Sequence, residues 1–155
     1  MSQYGSNNIS VERVDYDDAF NRVFSIRKAV FVDELEVDHE DDYDGFDHLA
    51  HHYLVRMDDQ AVATGRWRRT QTGGRYRIER IAVLKDYRRM HVGTFLLKSI
   101  LHDIPKDKEI FVHVPVKFVA FFKSLGFIET GFLFEEAGLN HQKLIYKEQV
   151  EVGVS

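Results

Sequence analysis

The stretch RIAVLKDYRRMHVGTFLL, residues 80–97, decides the fold of this chain of 155 residues. Four consecutive apolar residues after Arg80 are typical of a buried strand. The apolar residues Val92, Phe95 and Leu96 then recur at helical spacing. A short basic segment separates the two patterns. The stretch therefore predicts a strand, a tight basic loop and an amphipathic helix.

The loop between this strand and helix has the properties of an anion-binding site. The first N–H groups of a helix have no intrahelical acceptor, and the helix dipole places positive potential beside them. Arg88 and Arg89 add two positive charges at the same point. We therefore expect the loop to bind a pyrophosphate, although it lacks both the P-loop lysine and the Rossmann glycine spacing. The alternative is an ordinary turn with solvated arginines.

Length and composition limit the class of protein. With 44% hydrophobic and 30% charged residues, the chain has the composition of a globular protein and the size of one domain. We expect a flexible N-terminus over residues 1–8 and a single domain over residues 9–155. The lack of cysteine excludes a thiol nucleophile, a disulfide framework and a cysteine-ligated metal, and it fits a cytoplasmic location. Neither a secretory signal nor a membrane span is expected.

Charge is segregated along the sequence. An acidic segment, residues 33–47, carries nine Asp and Glu residues, and a basic segment, residues 66–89, carries eight Arg residues. The first would suit a cationic ligand and the second an anionic one, although such runs are usually solvated faces. The net charge of −4 argues against a general nucleic-acid binder.

Hydrophobic periodicity and turn residues predict the element order β-α-β-β-β-α-β-α-β-β, a mixed α/β fold. The expected strands are residues 9–16, 48–56, 60–70, 75–84, 109–114, 127–136 and 142–150. The expected helices are one that begins after Asp17 or Asp18, one over about 91–102 and one over 117–125.

The strand, loop and helix resemble the acetyl-CoA-binding motif of the GCN5-related N-acetyltransferases, the GNAT superfamily. That motif runs Arg/Gln-x-x-Gly-x-Gly/Ala after a hydrophobic strand. Arg88, His91 and Gly93 stand at the matching positions. Histidine thus replaces a glycine that lets the backbone approach the phosphates closely. The His91 N–H remains available there, and its ring could contact a phosphate.

The resemblance covers nearly the whole chain. The predicted element order is that of the GNAT fold, a mixed and mostly antiparallel sheet flanked by helices. HVP at 113–115 and FFKSLGF at 121–127 are similar to the fifth strand of that fold and the helix after it. VFVDE at 30–34 and EAGLNH at 136–141 resemble a bacterial subgroup of small GNAT proteins.

The resemblance implies acetyl-CoA as co-substrate and no metal. The pantetheine arm would pair with the main chain of the strand before the loop, as an added strand does. A backbone N–H there would also polarise the thioester carbonyl. The implied cofactor-binding residues are Ile81, Ala82, Val83, Arg88, Arg89, Met90, His91, Val92, Gly93 and Thr94.

Direct acyl transfer needs a neutral amine, so a base must remove a proton from the acceptor. Glu79, on the strand that leads into the loop, is the candidate catalytic base, because partly apolar surroundings would raise its pKa. The alternative is a buried ion pair with Arg66 or Arg80 that only fixes the sheet.

Many GNAT enzymes protonate the leaving thiolate with a tyrosine, and this chain has Phe122 at that position. Phenylalanine cannot donate a proton. Either Tyr87, His113 or His141 serves as the acid, or the thiolate leaves unaided.

The three histidines at positions 48, 51 and 52 do not predict a metal site. On the expected strand His48 and His52 share a face, and His51 points to the other. The three imidazoles therefore do not converge simply on one metal ion.

We therefore interpret the chain as an acetyl-CoA-dependent N-acetyltransferase that acts on the primary amine of a small acceptor. The acidic segment favours a cationic acceptor. The alternative is an acyl-CoA-binding or sensing module with little or no transferase activity, which Phe122 and His91 favour. Neither a nucleic acid nor a membrane is expected as a partner, and a homodimer stays open.

Overall fold

A computed structural model describes residues 8–16, 20–37, 44–72 and 74–147. The strands are β1 (Ile9–Val14), β2 (His51–Met57), β3 (Gln60–Arg69), β4 (Tyr76–Val83), β5 (Ile110–Pro115), β6 (Phe127–Glu136) and β7 (Leu139–Tyr146). The α-helices are α1 (Phe20–Arg27), α2 (Val92–Asp103) and α3 (Val119–Ser124). A π-helical segment, Lys28–Glu34, continues α1, and 3₁₀ turns cover Asp47–Leu49, Lys85–Tyr87 and Val116–Phe118.

The element order and the mixed α/β class agree with the sequence prediction. Within the described ranges, the strands follow the order β1-β2-β3-β4-β5-β7-β6 in the sheet. The neighbours β1–β2, β2–β3, β5–β7 and β6–β7 are antiparallel, and β4–β5 is parallel. The predicted fold class is confirmed.

Two strands begin three residues away from their predicted start. β2 begins at His51 rather than at His48, because residues Asp47–Leu49 form a 3₁₀ turn. The Ala50 N–H donates to the Asp47 carbonyl at 3.3 Å and closes this turn. β7 runs from Leu139 to Tyr146 rather than from 142 to 150, and the last three of the predicted positions lie outside the described residues.

Two predictions at the N-terminal side fall mostly outside the described residues. The helix start expected at Asp17 or Asp18 is one of them. The other is the flexible segment 1–8, of which only Asn8 is described. The Asn8 N–H donates to Asp58 Oδ1 at 3.0 Å, and the Asp58 N–H donates to the Asn8 carbonyl at 2.9 Å.

The described residues form two compact units. Unit 1 comprises those up to Arg69 together with Ile78–Ile104. Unit 2 comprises Thr70–Arg77 and those from Pro105 onward. A single domain over residues 9–155 stays a prediction. No helix in the described ranges is both long and apolar enough to cross a membrane.

Helix α1 packs in unit 1 through one apolar face. Phe20, Val23 and Ile26 recur three residues apart and are buried, as helical periodicity predicts. The buried core cluster that contains them consists of Val14, Phe20, Val23, Ile26, Val30, Leu54 and Ala82.

Aromatic side chains pack around α3 in unit 2. The Phe122 ring meets the Phe127 ring edge to face at 5.4 Å, and Phe127 meets Tyr146 at 5.3 Å. The first two residues of β4 join this unit, where Tyr76 pairs with Ile110. Phe122 is therefore part of the core.

Helix α2 packs against β3 at Gly65. A Cβ atom on Gly65 would lie 2.5 Å from Ile81 Cδ1, 3.3 Å from Ile100 Cδ1 and 3.4 Å from Leu96 Cδ2. Non-bonded carbon atoms pack at about 3.5–4.0 Å. Glycine is therefore required for this contact between the helix and the sheet.

Gly65→Ala should lower the free energy of unfolding by about 1–3 kcal/mol, because the added methyl group overpacks the core. Ile81→Val removes the Cδ1 atom that would clash. The double variant should therefore recover part of the loss when the four proteins are compared by chemical denaturation. If the double variant instead loses the sum of the two single-variant decreases in unfolding free energy, the proposed clash between position 65 and Ile81 is wrong.

Candidate active site

The loop between β4 and α2 holds two non-glycine residues in the left-handed region. Arg89 has a φ of 64°, and His91, directly before α2, has a φ of 62° and a ψ of 16°. This conformation costs an ordinary L-residue about 1–2 kcal/mol. The positive φ of His91 explains why the GNAT motif usually has glycine at this position, since glycine adopts such a φ without steric cost.

The backbone of this loop has the geometry of an anion-binding turn. The Phe95 N–H donates to the His91 carbonyl at 3.0 Å, which is the first hydrogen bond of α2. The N–H groups before it belong to the helix start and have no intrahelical acceptor. Left-handed residues in such turns bring successive N–H groups to one concave surface, which attracts anions.

The side chains of the loop differ in their exposure to solvent. Met90 is exposed, whereas Val92 is buried, so only the main chain of Val92 is available to a ligand. Gly93 and Thr94 form the first turn of α2 and are half-buried. Contact with a ligand through Val92–Thr94 would thus involve mainly the backbone.

Arg88 is bound within the protein. Its Nη1 and Nη2 donate to the two carboxylate oxygens of Glu34 at 2.6 Å each, and its Nε donates to the Val83 carbonyl at 3.0 Å. The hydrogen bonds that Arg88 donates to Glu34 raise the pKa of Arg88. Arg88 therefore links the end of β4, the loop and the end of the π-helical segment.

Strand β4 contains a residue with unusual backbone geometry directly before the residues assigned to pantetheine. Arg80 has a φ of 56°, a sparsely populated value for a residue other than glycine. Ile81, Ala82 and Val83 follow. Ala82 is buried, and Ile81 and Val83 are half-buried.

A buried ion network joins the acidic segment to the basic segment. Arg66 is fully buried and donates to Asp44 Oδ2 at 2.5 Å, Asp47 Oδ1 at 2.6 Å and Glu79 Oε2 at 2.9 Å. Burial by itself would raise the pKa of Asp44, but the hydrogen bond and charge of Arg66 lower it below 3.8. The two segments, expected to be solvated or to bind ligands, are partners of each other.

Further cations extend this network in unit 1. Arg27 Nη1 donates to Asp47 Oδ1 at 2.6 Å, and Arg80 Nη2 donates to Asp44 Oδ2 at 3.0 Å. Arg68 Nε donates to Glu79 Oε2 at 2.9 Å. The Arg68 guanidinium also lies 4.1 Å from the centre of the Phe46 ring.

Glu79, the candidate base, lies inside this network and is 7% exposed. Its Oε2 accepts from Nε and Nη2 of Arg66 and from Nε of Arg68. Two guanidinium groups stabilise the ionised carboxylate, whereas apolar surroundings would favour the neutral acid. The ion pair with Arg66 is thus present, and a role as base stays a prediction.

Two of the candidate acids lie near one carboxylate in unit 2. His113 Nδ1 is 3.8 Å and His141 Nε2 is 3.9 Å from Glu136 Oε2. Burial, with the charge of Arg77, lowers the pKa of His113 to about 4. His113 is therefore a neutral imidazole at pH 7 and would not act there as a proton donor.

The other candidates are held by hydrogen bonds. His141 Nδ1 donates to the Leu139 carbonyl at 2.8 Å, so in the neutral ring its Nε2 is the acceptor. In unit 1, the Tyr87 hydroxyl donates to Gln60 Oε1 at 2.7 Å.

Within the described ranges, no group of three or more His, Asp or Glu side chains could hold a metal ion. His51 is hydrogen-bonded to Arg13 and stacks on Trp67 with ring centres 4.1 Å apart. His52 Nε2 donates to the Asp47 carbonyl at 2.7 Å. Both imidazoles have structural contacts within unit 1.

The sequence matches the family described as the acetyltransferase (GNAT) domain over residues 29–147. The chain belongs to the GNAT family. This membership and the fold support the transfer of an acyl group from an acyl-CoA, and the chain is accordingly an acyltransferase by family.

Relatives and solved structures agree with this GNAT assignment. The protein YyaT of Bacillus subtilis is 30% identical over 139 residues, which are 86% of this chain and 92% of YyaT. ElaA of Escherichia coli has a TM-score of 0.80 at 25% identity, with 90% of this chain and all of ElaA covered. A GNAT acetyltransferase of Elizabethkingia anophelis with acetyl-CoA bound has a similar fold, with a TM-score of 0.69 at 13% identity over 90% of this chain and 98% of that one.

Sequence reasoning missed the roles of Glu34 and Asp47 in this GNAT chain. Both were treated as members of an acidic run, although each binds an arginine. One usable signal was the opposite charge of the segments 33–47 and 66–89. The VFVDE motif, which ends at Glu34, was a second.

Asp47→Asn should lower the free energy of unfolding by about 3–5 kcal/mol, because it leaves two buried arginines without one of their carboxylates. The matched control is Asp33→Asn. Asp33 pairs with Lys28 at 3.3 Å, and both side chains are more than half exposed. This control should change stability by at most about 1 kcal/mol in the same denaturation experiment. Equal effects of the two substitutions would contradict the account of the network.

His113→Gln should make stability less sensitive to acid. The pKa of His113 is about 4 in the folded chain, whereas the ordinary pKa of a histidine is 6.5. As the pH falls from 6.5 to about 4, the unfolded chain binds a proton that the folded chain does not. The free energy of unfolding of the wild type therefore decreases over this range. Unfolding free energies measured across this range test this, with the exposed His102→Gln as control. Identical slopes for wild type and His113→Gln would refute it.

Proposed function

We propose that this protein transfers an acetyl group from acetyl-CoA to the primary amine of a small acceptor by direct attack. The observation that carries the proposal is the left-handed turn Arg89–His91 at the start of α2. The absence of cysteine from all 155 residues fits a cytoplasmic site of action.

The cofactor would be held mainly by main-chain groups. The N–H groups of Arg89–Thr94 and the side chain of Arg88 would bind the pyrophosphate, helped by the helix dipole. The pantetheine arm would pair with Ile81–Val83, as a strand adds to a sheet. Family membership and the positive φ of Arg80, directly before Ile81, support this placement.

The reaction requires one proton transfer from the acceptor. A neutral amine attacks the thioester carbonyl, a C–N bond forms and the C–S bond breaks. The amine loses a proton to a base, and CoA leaves as a thiolate. A thiolate leaves with little acid assistance, since the pKa of a free thiol is about 8.5. The neutral His113 and the buried Phe122 are compatible with unaided departure.

Four carboxylates of the acidic segment are paired within the protein and do not support a cationic acceptor. Asp33 pairs with Lys28, and Glu34, Asp44 and Asp47 pair with arginines. These carboxylates are neutralised within the protein. We therefore propose only that the acceptor presents a primary amine and assign it no charge.

An acyl-CoA-binding module with little transferase activity is the second candidate. It is favoured by Phe122, which lies in an apolar core and has no acidic proton. Release of free CoA, followed with acetyl-CoA and a panel of small primary amines, separates the two candidates. Calorimetric binding of CoA without turnover on any amine would leave only the module.

Glu79→Gln tests the candidate base. If Glu79 removes the proton, turnover should fall by about 10²–10⁴-fold while CoA affinity stays as in wild type. The pH dependence of the remaining turnover should also change, because the titrating group is gone. Arg68→Lys is the matched control, since it disturbs the same ion pair and keeps the carboxylate. Turnover that falls equally in both variants, in step with their melting temperatures, would assign Glu79 to structure alone.

A further inference from the structure

The helix that ends at Glu34 has an uncommon hydrogen-bond pattern. Lys28–Glu34 is π-helical, and the Leu35 N–H donates to the Val30 carbonyl at 3.0 Å, five residues back. Seven residues in this form exceed the single turn that is usual, and such turns are frequent at functional sites. The proposed function gives this segment no role.

Glu34 uses this position to fix one arginine of the cofactor loop. Three of the five N–H donors of Arg88 are engaged, two by Glu34 and one by the Val83 carbonyl. Both carboxylate oxygens of Glu34 accept from the same guanidinium. The two groups therefore form a planar, bidentate ion pair. Among the described residues, the other two N–H donors of Arg88 meet no acceptor, which leaves them available to a ligand.

The residues directly after Arg88 need such support. Arg89 and His91 both adopt positive φ values that disfavour side chains. Strained residues of this kind persist only when surrounding contacts hold them. Glu34 and the Val83 carbonyl supply those contacts at the first residue of the loop.

We propose that Glu34 is a positioning residue of the cofactor site, which fixes Arg88 and thereby holds the turn Arg89–His91 in the conformation that binds the diphosphate of acyl-CoA. This inference rests on the proposed function of the loop. Glu34 does not contact the ligand. It holds the loop in the binding conformation before the ligand arrives. The loop then loses less conformational entropy on binding, and the affinity for acyl-CoA is higher.

Calorimetry with three ligands locates the effect of Glu34→Gln. CoA and 3′-dephospho-CoA contain the diphosphate, whereas pantetheine does not. Glu34→Gln should weaken both diphosphate ligands by about 10- to 100-fold, the range expected for a lost charge-assisted contact. Binding of pantetheine should not change. Asp33→Asn, which removes the neighbouring exposed carboxylate, should bind all three as wild type does.

His91→Gly supplies a rescue that a general loss of structure would not show. Glycine adopts the φ of 62° without steric cost, so the loop then needs less support. Added to Glu34→Gln, it should restore most of the lost CoA affinity. If Glu34→Gln does not fold, Glu34→Asp is measured instead. It keeps the charge but is too short for both bonds, and should also lose CoA affinity.

Three outcomes would overturn the inference. Glu34→Gln could bind CoA as tightly as wild type or more tightly, which would make Glu34 a bystander or a competitor for Arg88. It could lose CoA and pantetheine equally, or gain nothing from His91→Gly, which would indicate a general structural role. If wild type binds no CoA, the proposed function of the loop fails and the inference fails with it.

Discussion

The burial of one guanidinium group, that of Arg66, is the constraint on which much of unit 1 depends. A cation removed from water is tolerated only when carboxylates replace the lost solvation. Arg66 therefore requires Asp44 and Asp47, which precede β2, and Glu79 on β4. These contacts bring the chain segment around Asp44–Ala50 against the sheet. They also account for the 3₁₀ turn that delays the start of β2.

The same pairing of acidic and basic segments recurs at the cofactor loop. Glu34 and Arg88 are 54 positions apart and form a bidentate pair that is only partly exposed. Here the pair supports a turn in which Arg89 and His91 carry an unfavourable φ. Ionic contacts in this chain thus serve two purposes. They neutralise a buried network, and in our proposal they also hold a strained backbone in the conformation that binds an anionic ligand.

This distribution of charge has consequences for the chemistry. Glu79 lies where a base would be expected on β4, yet two arginines stabilise its ionised form. His113 stays neutral because burial opposes its protonation. The acyl transfer that the GNAT family performs would therefore depend here more on backbone contacts and a good leaving group than on a strong acid. Binding energy from the loop contributes to such a reaction when it orients the thioester for attack.

The element order and the cofactor motif followed from the sequence alone, because apolar periodicity and the spacing of Arg88, His91 and Gly93 are local properties of the chain. The partners of the charged residues did not. Whether Asp47 meets solvent, a ligand or Arg66 depends on contacts between segments distant in sequence, which only packing brings together. The π-helical form of Lys28–Glu34 has no local signal for the same reason. Tertiary structure therefore decided which charges are buried and which remain for a ligand, since desolvation is set by the folded surroundings.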